Sequence, residues 1–466
     1  MMKVDQLYTS CLSEAAYFIE SNGEAAIIDP LRDCSKYVAM AAERGVAIKY
    51  IFETHFHADF ISGHLDLAAR TGAPIIYGPE TKTNYPIHVA TEGERFKIGR
   101  VELEVMHTPG HTPESTCYLL NDEDKKPYCI FTGDTLFVGD VGRPDLFGGV
   151  ITKEVLASNL YDSLQRLKNL PDNVIVYPAH GPGSACGKNL GKETWSTIGA
   201  QKKRNYAMQD VSREEFIAAI TSGLTTPPQY FAINAKINRE GYQPLDSVVK
   251  KSLRALSAHE FEIEMKNSRI MVLDTRNQND FEKGFIPGAM FIGLSGRFAE
   301  WVGTLLQMDD KILLVADEGK EEESVIRMAR IGYENVTGFL KGGFDSWKNS
   351  GKGYDMVISI DAEELLLDYN FDNITLVDVR KESEFEAGHV QGAVNVVLQD
   401  FDNQLNKLNS ASSDTLYLHC EGGYRSMIAA SMLRRKGFKN LRNVYGGYNA
   451  ISKTNISLAL PAFSAS

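Results

Sequence analysis

Thr54-His55-Phe56-His57-Ala58-Asp59-Phe60-Ile61-Ser62-Gly63-His64 packs four ionisable side chains, His55, His57, Asp59 and His64, into ten positions. An apolar run, Tyr50-Ile51-Phe52, leads into it, and Leu65 to Ala69 opens a helix-like pattern. The order is strand, polar loop, helix, and α/β proteins place chemistry at such junctions. Imidazoles two residues apart on a loop can converge on one cation; the alternative is a surface histidine cluster. Three later segments weigh against that alternative. His107-Thr108-Pro109-Gly110-His111-Thr112 is one. Phe131-Thr132-Gly133-Asp134-Thr135-Leu136 is an apolar strand ending in Gly-Asp, and Tyr177-Pro178-Ala179-His180-Gly181 ends the apolar run from Val174. Histidine or aspartate at four successive strand ends is hard to obtain by chance in a chain with ten histidines.

In this order the segments resemble the metallo-β-lactamase superfamily, over roughly the first half of the chain. One position departs from it. Two-metal members read H-x-H-x-D-H, and the last histidine helps hold the second metal; this chain has Phe60 there, which cannot ligate. A dizinc hydrolase of the glyoxalase II or lactamase type is therefore disfavoured. His55, His111 and Asp134 remain, two imidazoles and one carboxylate with coordination positions open. That is the ligand set of non-haem Fe(II) enzymes that activate O₂. Within the superfamily the chain looks like the persulfide dioxygenase branch, to which Gly142-Arg143-Pro144-Asp145 is also similar. The resemblance implies one Fe(II) per chain on His55, His111 and Asp134. It implies that His57, Asp59 and His180 orient ligands or substrate, with purely structural roles as the alternative. Arg143 is expected to grip a carboxylate or phosphate of the thiol carrier; its alternative is an ion pair with Asp145.

At 466 residues the chain has room for roughly three domains of about 150 residues each. A hydrophobic share of 43% and a charged share of 24% are those of a globular protein with ample core. The net charge of −12 argues against nucleic acid or an anionic membrane as the main partner. No apolar stretch is long enough to suggest a span, and Met1 to Ser10 has no apolar signal-peptide core. Cys11, Cys34, Cys117, Cys129, Cys186 and Cys420 form no C-x-x-C pair. Such sparse thiols predict a reducing cytoplasm, with cysteines free or catalytic. Cys117 and Cys129 lie in apolar runs and are expected in the core. Cys186, on the loop Gly181-Pro182-Gly183-Ser184-Ala185-Cys186-Gly187, could line the metal cleft or serve as a small apolar filler.

Residues 14–30 read as two strands around Ser21-Asn22-Gly23. Strand-like runs follow near 49–53, 74–77, 101–106, 116–120, 128–132 and 174–177. Ser212-Arg213-Glu214-Glu215 is a capping-box start, and Thr225-Thr226-Pro227-Pro228 stops regular structure. Tyr230 to Asn234 is too apolar for a free linker and is expected to pack on the first domain.

The remainder repeats itself. Val272-Leu273-Asp274-Thr275-Arg276 matches Leu376-Val377-Asp378-Val379-Arg380. Gly284-Phe285-Ile286-Pro287-Gly288-Ala289 matches Gly388-His389-Val390-Gln391-Gly392-Ala393, and Gly342-Gly343-Phe344 matches Gly446-Gly447-Tyr448. Every pair is offset by 104 residues. Each copy alternates β-branched strands with helical stretches, the pattern of a parallel sheet. From about 256 to 460 the motifs resemble the rhodanese, or sulfurtransferase, family. In the second copy, strand Leu416-Tyr417-Leu418-His419 precedes Cys420-Glu421-Gly422-Gly423-Tyr424-Arg425-Ser426 and then a helix. Backbone N–H groups converging at a helix N-terminus favour a thiolate at Cys420, and Arg425 is expected to add a fixed cation. Glu421, Gly422, Gly423 and Tyr424 complete the expected anion cradle; an inert buried Cys420 is the alternative. Phosphatases use a related loop one residue longer. The first copy places Ala316 opposite Cys420 and Glu321 opposite Arg425. Its acidic loop, Ala316 to Glu323, predicts a catalytically silent spacer or interface.

The expected architecture is α/β multidomain: a metallo-β-lactamase-type αββα sandwich at 1–204, a connector at 205–255, and rhodanese-like domains with parallel sheets at 256–355 (inactive) and 356–466 (active). The resemblances imply a cytoplasmic persulfide dioxygenase fused to a sulfurtransferase. Its expected partners are O₂, sulfite or thiosulfate, and the persulfide of glutathione, coenzyme A or bacillithiol, with no nucleic acid or membrane, in a homo-oligomer. A glyoxalase II-like thioester hydrolase fused to a sulfurtransferase is the enzymatic alternative. A sulfur-carrier or sensing scaffold is the non-enzymatic one.

Overall fold

Glu14–Ser21 and Glu24–Ile28 form the expected hairpin around Asn22 and Gly23, which take φ of 48° and 83°, the left-handed turn region those residues tolerate. Alternation along these strands divides their side chains between two cores. Tyr17, Ile19, Ala26 and Ile28 face an inner cluster with Phe52, Leu103, Tyr118, Leu120 and Phe131. Ala16, Phe18, Ala25 and Ile27 face an outer one with Tyr37, Ile51 and Leu67. A strand buried on both sides needs apolar residues on both, so polar alternation is missing from its sequence.

The computed structural model describes residues 2–147, 151–371, 374–408 and 415–460. The hairpin lies in a six-stranded sheet ordered Lys3–Thr9, Glu14–Ser21, Glu24–Ile28, Ala47–Phe52, Ile75–Tyr77, His88–Val89. A second six-stranded sheet runs Ser196–Thr197, Ile175–Pro178, Pro127–Gly133, Thr116–Asn121, Val101–His107, Arg95–Ile98. Helices Ser35–Arg44 and His64–Thr71 pack Tyr37, Ala41 and Leu67 on the first sheet. Helix Lys153–Lys168 packs Leu160 and Leu164 on the second, against Cys117 and Ile130. This is an αββα sandwich with Cys117 and Cys129 in its core. Strands Ala47–Phe52, Val101–His107, Pro127–Gly133 and Ile175–Pro178 each deliver one of the four motif segments at their carboxyl end.

The chain falls into two units, Met1–Val248 with Ile326–Tyr333, and Val249–Val325 with Glu334–Ser466. Most of the stretch read as a connector belongs to the first unit. Ser212 and Glu215 form the expected capping box on helix Arg213–Thr221. Helix Tyr230–Glu240 buries Tyr230, Phe231, Asn234 and Asn238.

The second unit holds two five-stranded, all-parallel sheets of identical topology. One runs Ala255–Leu256, Val336–Leu340, Lys311–Val315, Ile270–Asp274, Met290–Phe291; the other runs Ile358–Ile360, Leu441–Val444, Leu416–His419, Thr375–Asp378, Val394–Asn395. The repeat extends to side chains. Asp274 pairs with Arg276, whose Nη2 donates to Gly284 O at 2.8 Å; Asp378 pairs with Arg380, whose Nη2 donates to Gly388 O at 2.8 Å. The D-x-R motif is thus an internal clamp from the end of a central strand to the turn opening at Gly284 or Gly388. Among the described residues no helix is long and apolar enough to cross a membrane.

Candidate functional site

His55, His111 and Asp134, delivered by three different strands, bring one ligand atom each to within 4.8 Å of the others. The hydrogen-bond partners behind the imidazoles settle which of their atoms face inward. The Thr54 hydroxyl donates to Asp29 Oδ2 at 2.9 Å, so it can accept only from His55 Nδ1, also 2.9 Å away. His55 Nε2 is left facing Asp134 Oδ2 at 3.8 Å. His111 Nδ1 donates to Arg143 O at 2.8 Å, leaving its Nε2 at 3.4 Å from Asp134 Oδ2. Asp134 Oδ1 meets His180 Nδ1 at 2.8 Å, while the buried Oδ2 has no hydrogen-bond partner. Two imine nitrogens and an orphaned carboxylate oxygen aimed at one point are the donor set of a divalent cation. Burial and His57 push the His55 pKa well below its usual value, keeping it in the neutral, ligating form. Burial alone would raise Asp134, but His180, His55 and His111 hold it below the usual carboxylate range.

The three residues expected to orient the centre do different things. His180 bridges two carboxylates, with Nδ1 on Asp134 and Nε2 on Asp59 Oδ2 at 2.8 Å. Burial opposes its charging, yet those carboxylates raise its pKa well above the usual value. Asp59 touches His180 rather than His55, His111 or Asp134. His57 turns to a separate buried group, 3.1 Å from Asp29 Oδ1 and 3.6 Å from Glu53 Oε2, with its ring 4.3 Å from that of Phe60. His64 leaves the loop altogether: it is the first residue of its helix and stacks on Tyr85 at 5.2 Å. Cys186 clusters with Asp59 and His180, and burial pushes its thiol well above the usual range.

Arg143 makes the ion pair with Asp145 that the sequence offered as its alternative role. It is 4% exposed, and its Nε and Nη2 grip Asp145 at 2.6 and 2.7 Å while further donors reach the carbonyls of Ala185 and Thr225. These contacts engage Nε, both N–H groups of Nη2 and one of Nη1. The residue's contribution is the backbone carbonyl that orients His111. Two partners of the His55–His64 loop were not singled out in the sequence. Asn238 donates to His57 O and Phe60 O at 2.7 and 2.8 Å and accepts from Ser62 N at 3.0 Å. Asp29, at φ 50°, receives Thr54 N at 2.8 Å; its place at a strand end before Pro30 was the one available hint.

In the second unit, Cys420 follows strand Leu416–His419, and helix Tyr424–Arg435 begins after the N-cap Gly423, whose φ is 105°. Gly423 N donates to Cys420 Sγ at 3.0 Å, and the Ser426 hydroxyl lies 3.7 Å from it. Tyr448 N and Asn449 N donate to the carbonyls of Cys420 and Glu421 at 2.7 and 3.1 Å. The G-G-Y motif is therefore a backbone buttress. A Cβ on Gly447 would stand 2.3 Å from Cys420 O. Arg380 Nη1 steadies Glu421 at 3.3 Å.

Two residues of the expected cradle have partners of their own. Arg425 is bound bidentately by Glu384 at 2.7 and 2.8 Å, so its charge is compensated rather than offered whole to an anion. The Tyr424 hydroxyl donates to Gly293 O of the first copy at 2.7 Å, and its ring packs on Phe291 at 5.8 Å. A cavity of about 700 Å³ opens at Cys420, Glu421 and Gly422, and the first copy supplies much of its wall, including Gln278, Arg297 and Trp301. The first copy is therefore more than a spacer. At its own loop, Ala316 is buried in the position of the nucleophile, and no residue from Ala316 to Glu323 lines this cavity.

The metallo-beta-lactamase superfamily profile matches residues 10–180, and the rhodanese-like domain profile matches 257–350 and 361–454. A solved structure described as a metallo-beta-lactamase from Staphylococcus aureus is 34% identical, with a TM-score of 0.64, covering 73% of this chain and 98% of its own. The chain is 30% identical to the mouse mitochondrial persulfide dioxygenase ETHE1 over 46% of its length and 78% of that protein's. It is 34% identical to a hydroxyacylglutathione hydrolase of Tolumonas auensis, over 35% of its length and 60% of that protein's.

Proposed function

Since the chain belongs to the metallo-beta-lactamase superfamily and carries two rhodanese-like domains behind that fold, we propose that it is a persulfide dioxygenase joined to a sulfurtransferase. The observation that carries the first half is the convergence of His55 Nε2, His111 Nε2 and Asp134 Oδ2, with Phe60 buried beside His57. His55, His111 and Asp134 would hold one Fe(II), which would supply the open positions and the electrons for O₂ activation. The chain's own residues set the rest. Thr54 and the Arg143 carbonyl fix the imidazole tautomers, and His180 holds Asp134 ionised. The net reaction is RSSH + O₂ + H₂O → RSH + sulfite + two protons.

In the second half, the Cys420 thiolate takes the terminal sulfur of RSSH, breaking its S–S bond and releasing the carrier thiolate. Sulfite then attacks the terminal sulfur of the cysteine persulfide, giving thiosulfate and regenerating the thiolate. The Gly423 N–H, 3.0 Å from Sγ, supports charge on that sulfur. The silent reading of the first copy rests on Ala316 standing where Cys420 stands. Fusion raises the concentration of sulfite near a site that consumes it.

A dinuclear thioester hydrolase is the second reading, favoured by the hydrolase relative and by Asp59, His180 and Cys186 lying within 4.8 Å of one another. Against it, both ring nitrogens of His180 are engaged by carboxylates, and Phe60 carries no donor. The discriminating experiment is oxygen uptake with glutathione persulfide, alongside elemental analysis of anaerobically purified protein. One iron per chain and O₂ consumption are expected, both lost in His111→Ala while thiosulfate formation at Cys420 persists. Two stoichiometric zinc ions with thioester hydrolysis and no O₂ uptake would overturn the dioxygenase reading.

A further inference from the structure

We propose that Glu282 of the first copy is a positioning residue for Cys420: through Ser359 and Asn443 it turns the Ser426 hydroxyl away from the sulfur and so keeps the thiolate strongly nucleophilic. This rests on sulfur transfer at Cys420 as proposed above and gives the first copy a part in it.

The Ser426 hydroxyl has one proton and three acceptors near it: Asn443 Oδ1 at 2.7 Å, Gly423 O at 3.0 Å and Cys420 Sγ at 3.7 Å. What Asn443 presents decides where that proton goes. Asn443 Nδ2 donates to Ser359 Oγ at 3.2 Å, so Oδ1 is the atom left facing Ser426. Ser359 Oγ commits its one proton to Glu282 Oε2, and the Tyr445 hydroxyl donates to Glu282 Oε1. An ionised carboxylate only accepts. It therefore sets the direction of Ser359, Ser359 sets the amide of Asn443, and Asn443 draws the Ser426 proton to its oxygen. Glu282, Asn443 and Ser426 are buried. An unpaired group is costly there, so the links hold one direction together.

A neutral donor at position 282 would reverse the chain. Glutamine would keep its oxygen on the Tyr445 hydroxyl and turn its N–H to Ser359. Ser359 would then donate to Asn443, the amide would turn over, and Asn443 would donate to Ser426. The freed Ser426 proton would pass to the thiolate, because a hydrogen bond to a charged acceptor is the stronger one. A thiolate holding that extra bond has a lower pKa and attacks more slowly.

Other charged and titratable groups surround Cys420. His419, Glu421 and Arg425 come from its own strand and loop; Arg380, Lys381 and Glu384 come from the turn and helix after strand Thr375–Asp378; Arg297 and Glu300 lie across the cavity. The chain from Glu282 to Ser426 runs through none of them, so all stay in place in the variants below.

Cys420 lines the cavity and is open to a small alkylating agent. The test follows iodoacetamide alkylation of Cys420 in the full chain, read on the Cys420 peptide by mass spectrometry across the thiol's titration range. The profile gives the pKa and the limiting rate of the thiolate. Glu282→Gln should lower the pKa by about one unit and the limiting rate by about threefold. In a Ser426→Ala or a Ser359→Ala background the same glutamine should move the pKa by less than about 0.3 unit. A Glu282→Gln profile that matches the unaltered chain would overturn the inference. So would a drop that persists in both backgrounds, because it would belong to the lost negative charge and not to the chain. Alkylation needs no sulfur transfer. Absence of thiosulfate from the unaltered chain, given glutathione persulfide and sulfite, would therefore remove the transfer reading and leave these profiles to decide on Glu282.

Discussion

Gly447→Ala tests whether the position of the Cys420 loop controls sulfur transfer, and the repeat supplies its own control in Gly343→Ala. The two glycines take nearly the same backbone conformation, φ 53° and 57°. Each substitution therefore carries a similar left-handed penalty of about 1–2 kcal/mol. The surroundings differ. At Gly447 a Cβ would stand 2.3 Å from Cys420 O and 2.8 Å from Glu421 C and O; at Gly343 the nearest atom is Ala316 O at 3.0 Å. The Gly447 contact adds roughly 1–3 kcal/mol of overpacking, relieved only if the Cys420 carbonyl retreats by roughly 1 Å, a displacement that can cost about 100-fold in rate. Gly447→Ala is thus expected to cut anaerobic thiosulfate formation by roughly 100-fold, and Gly343→Ala by no more than about threefold. Both should lower the melting temperature of the second unit by several degrees. Persulfide-dependent O₂ uptake should be unchanged in both. Gly447→Ala retaining more than about half of the transfer rate, or Gly343→Ala losing as much as Gly447→Ala, would refute the reasoning.

Three further outcomes are expected. Cys420→Ser should abolish thiosulfate formation while O₂ uptake continues and sulfite accumulates, measured by ion chromatography; near-normal thiosulfate would mean another thiol carries sulfur, Cys186 being the first to examine. Arg143→Ala should lower the melting temperature and the iron content together, because it leaves Asp145 without its partner at 2.6 Å and loosens the carbonyl behind His111; about 3 kcal/mol is lost, the low end for a buried pair because Asp145 is partly exposed. A rise in KM alone, with metal and stability intact, would restore the substrate-anchor role. His64 is fully buried, and burial followed by His57 lowers its pKa from 6.5 to about 3. The unfolded chain therefore takes up a proton below pH 6.5 that the native state refuses, so stability is full above that pH and falls as pH drops toward 3. The loss between pH 7 and 5 is about 2 kcal/mol, visible as a lower urea midpoint. His64→Gln should flatten that dependence, and an unchanged slope would refute the assignment.

Much of this protein was legible because its signals are local. His55, His111 and Asp134 follow the ends of apolar strands, so a short motif after each run singled them out without knowledge of which strands are neighbours, and the fold brings the three side chains together. The offset of 104 residues carried the two parallel sheets, since both copies must bury the same faces with the same spacing. The roles of individual polar groups were less legible. H-x-H-x-D looked like one ligand cluster, yet His57 turns to Asp29 and Glu53, and His64 enters a helix and stacks on Tyr85. D-x-R and G-G-Y were legible only as markers of the repeat, and the structure shows the first clamping a turn and the second buttressing a loop.

The repeat and the loop after strand Leu416–His419 follow from hydrophobic periodicity and from residues a few positions apart, while the αββα sandwich and the grouping of His55, His111 and Asp134 came from the sequence through the family resemblance that its short strand-end motifs carry. Only the tertiary structure decided whether a charged group remains available to a substrate. Arg425 is engaged by Glu384, 41 residues away. Asn238 holds the metal loop from 178 residues away. Arg143 is consumed by Asp145 and by carbonyls drawn from two distant loops. A buried donor or acceptor must find a partner, and which partner it finds depends on chain segments that meet only when the protein folds.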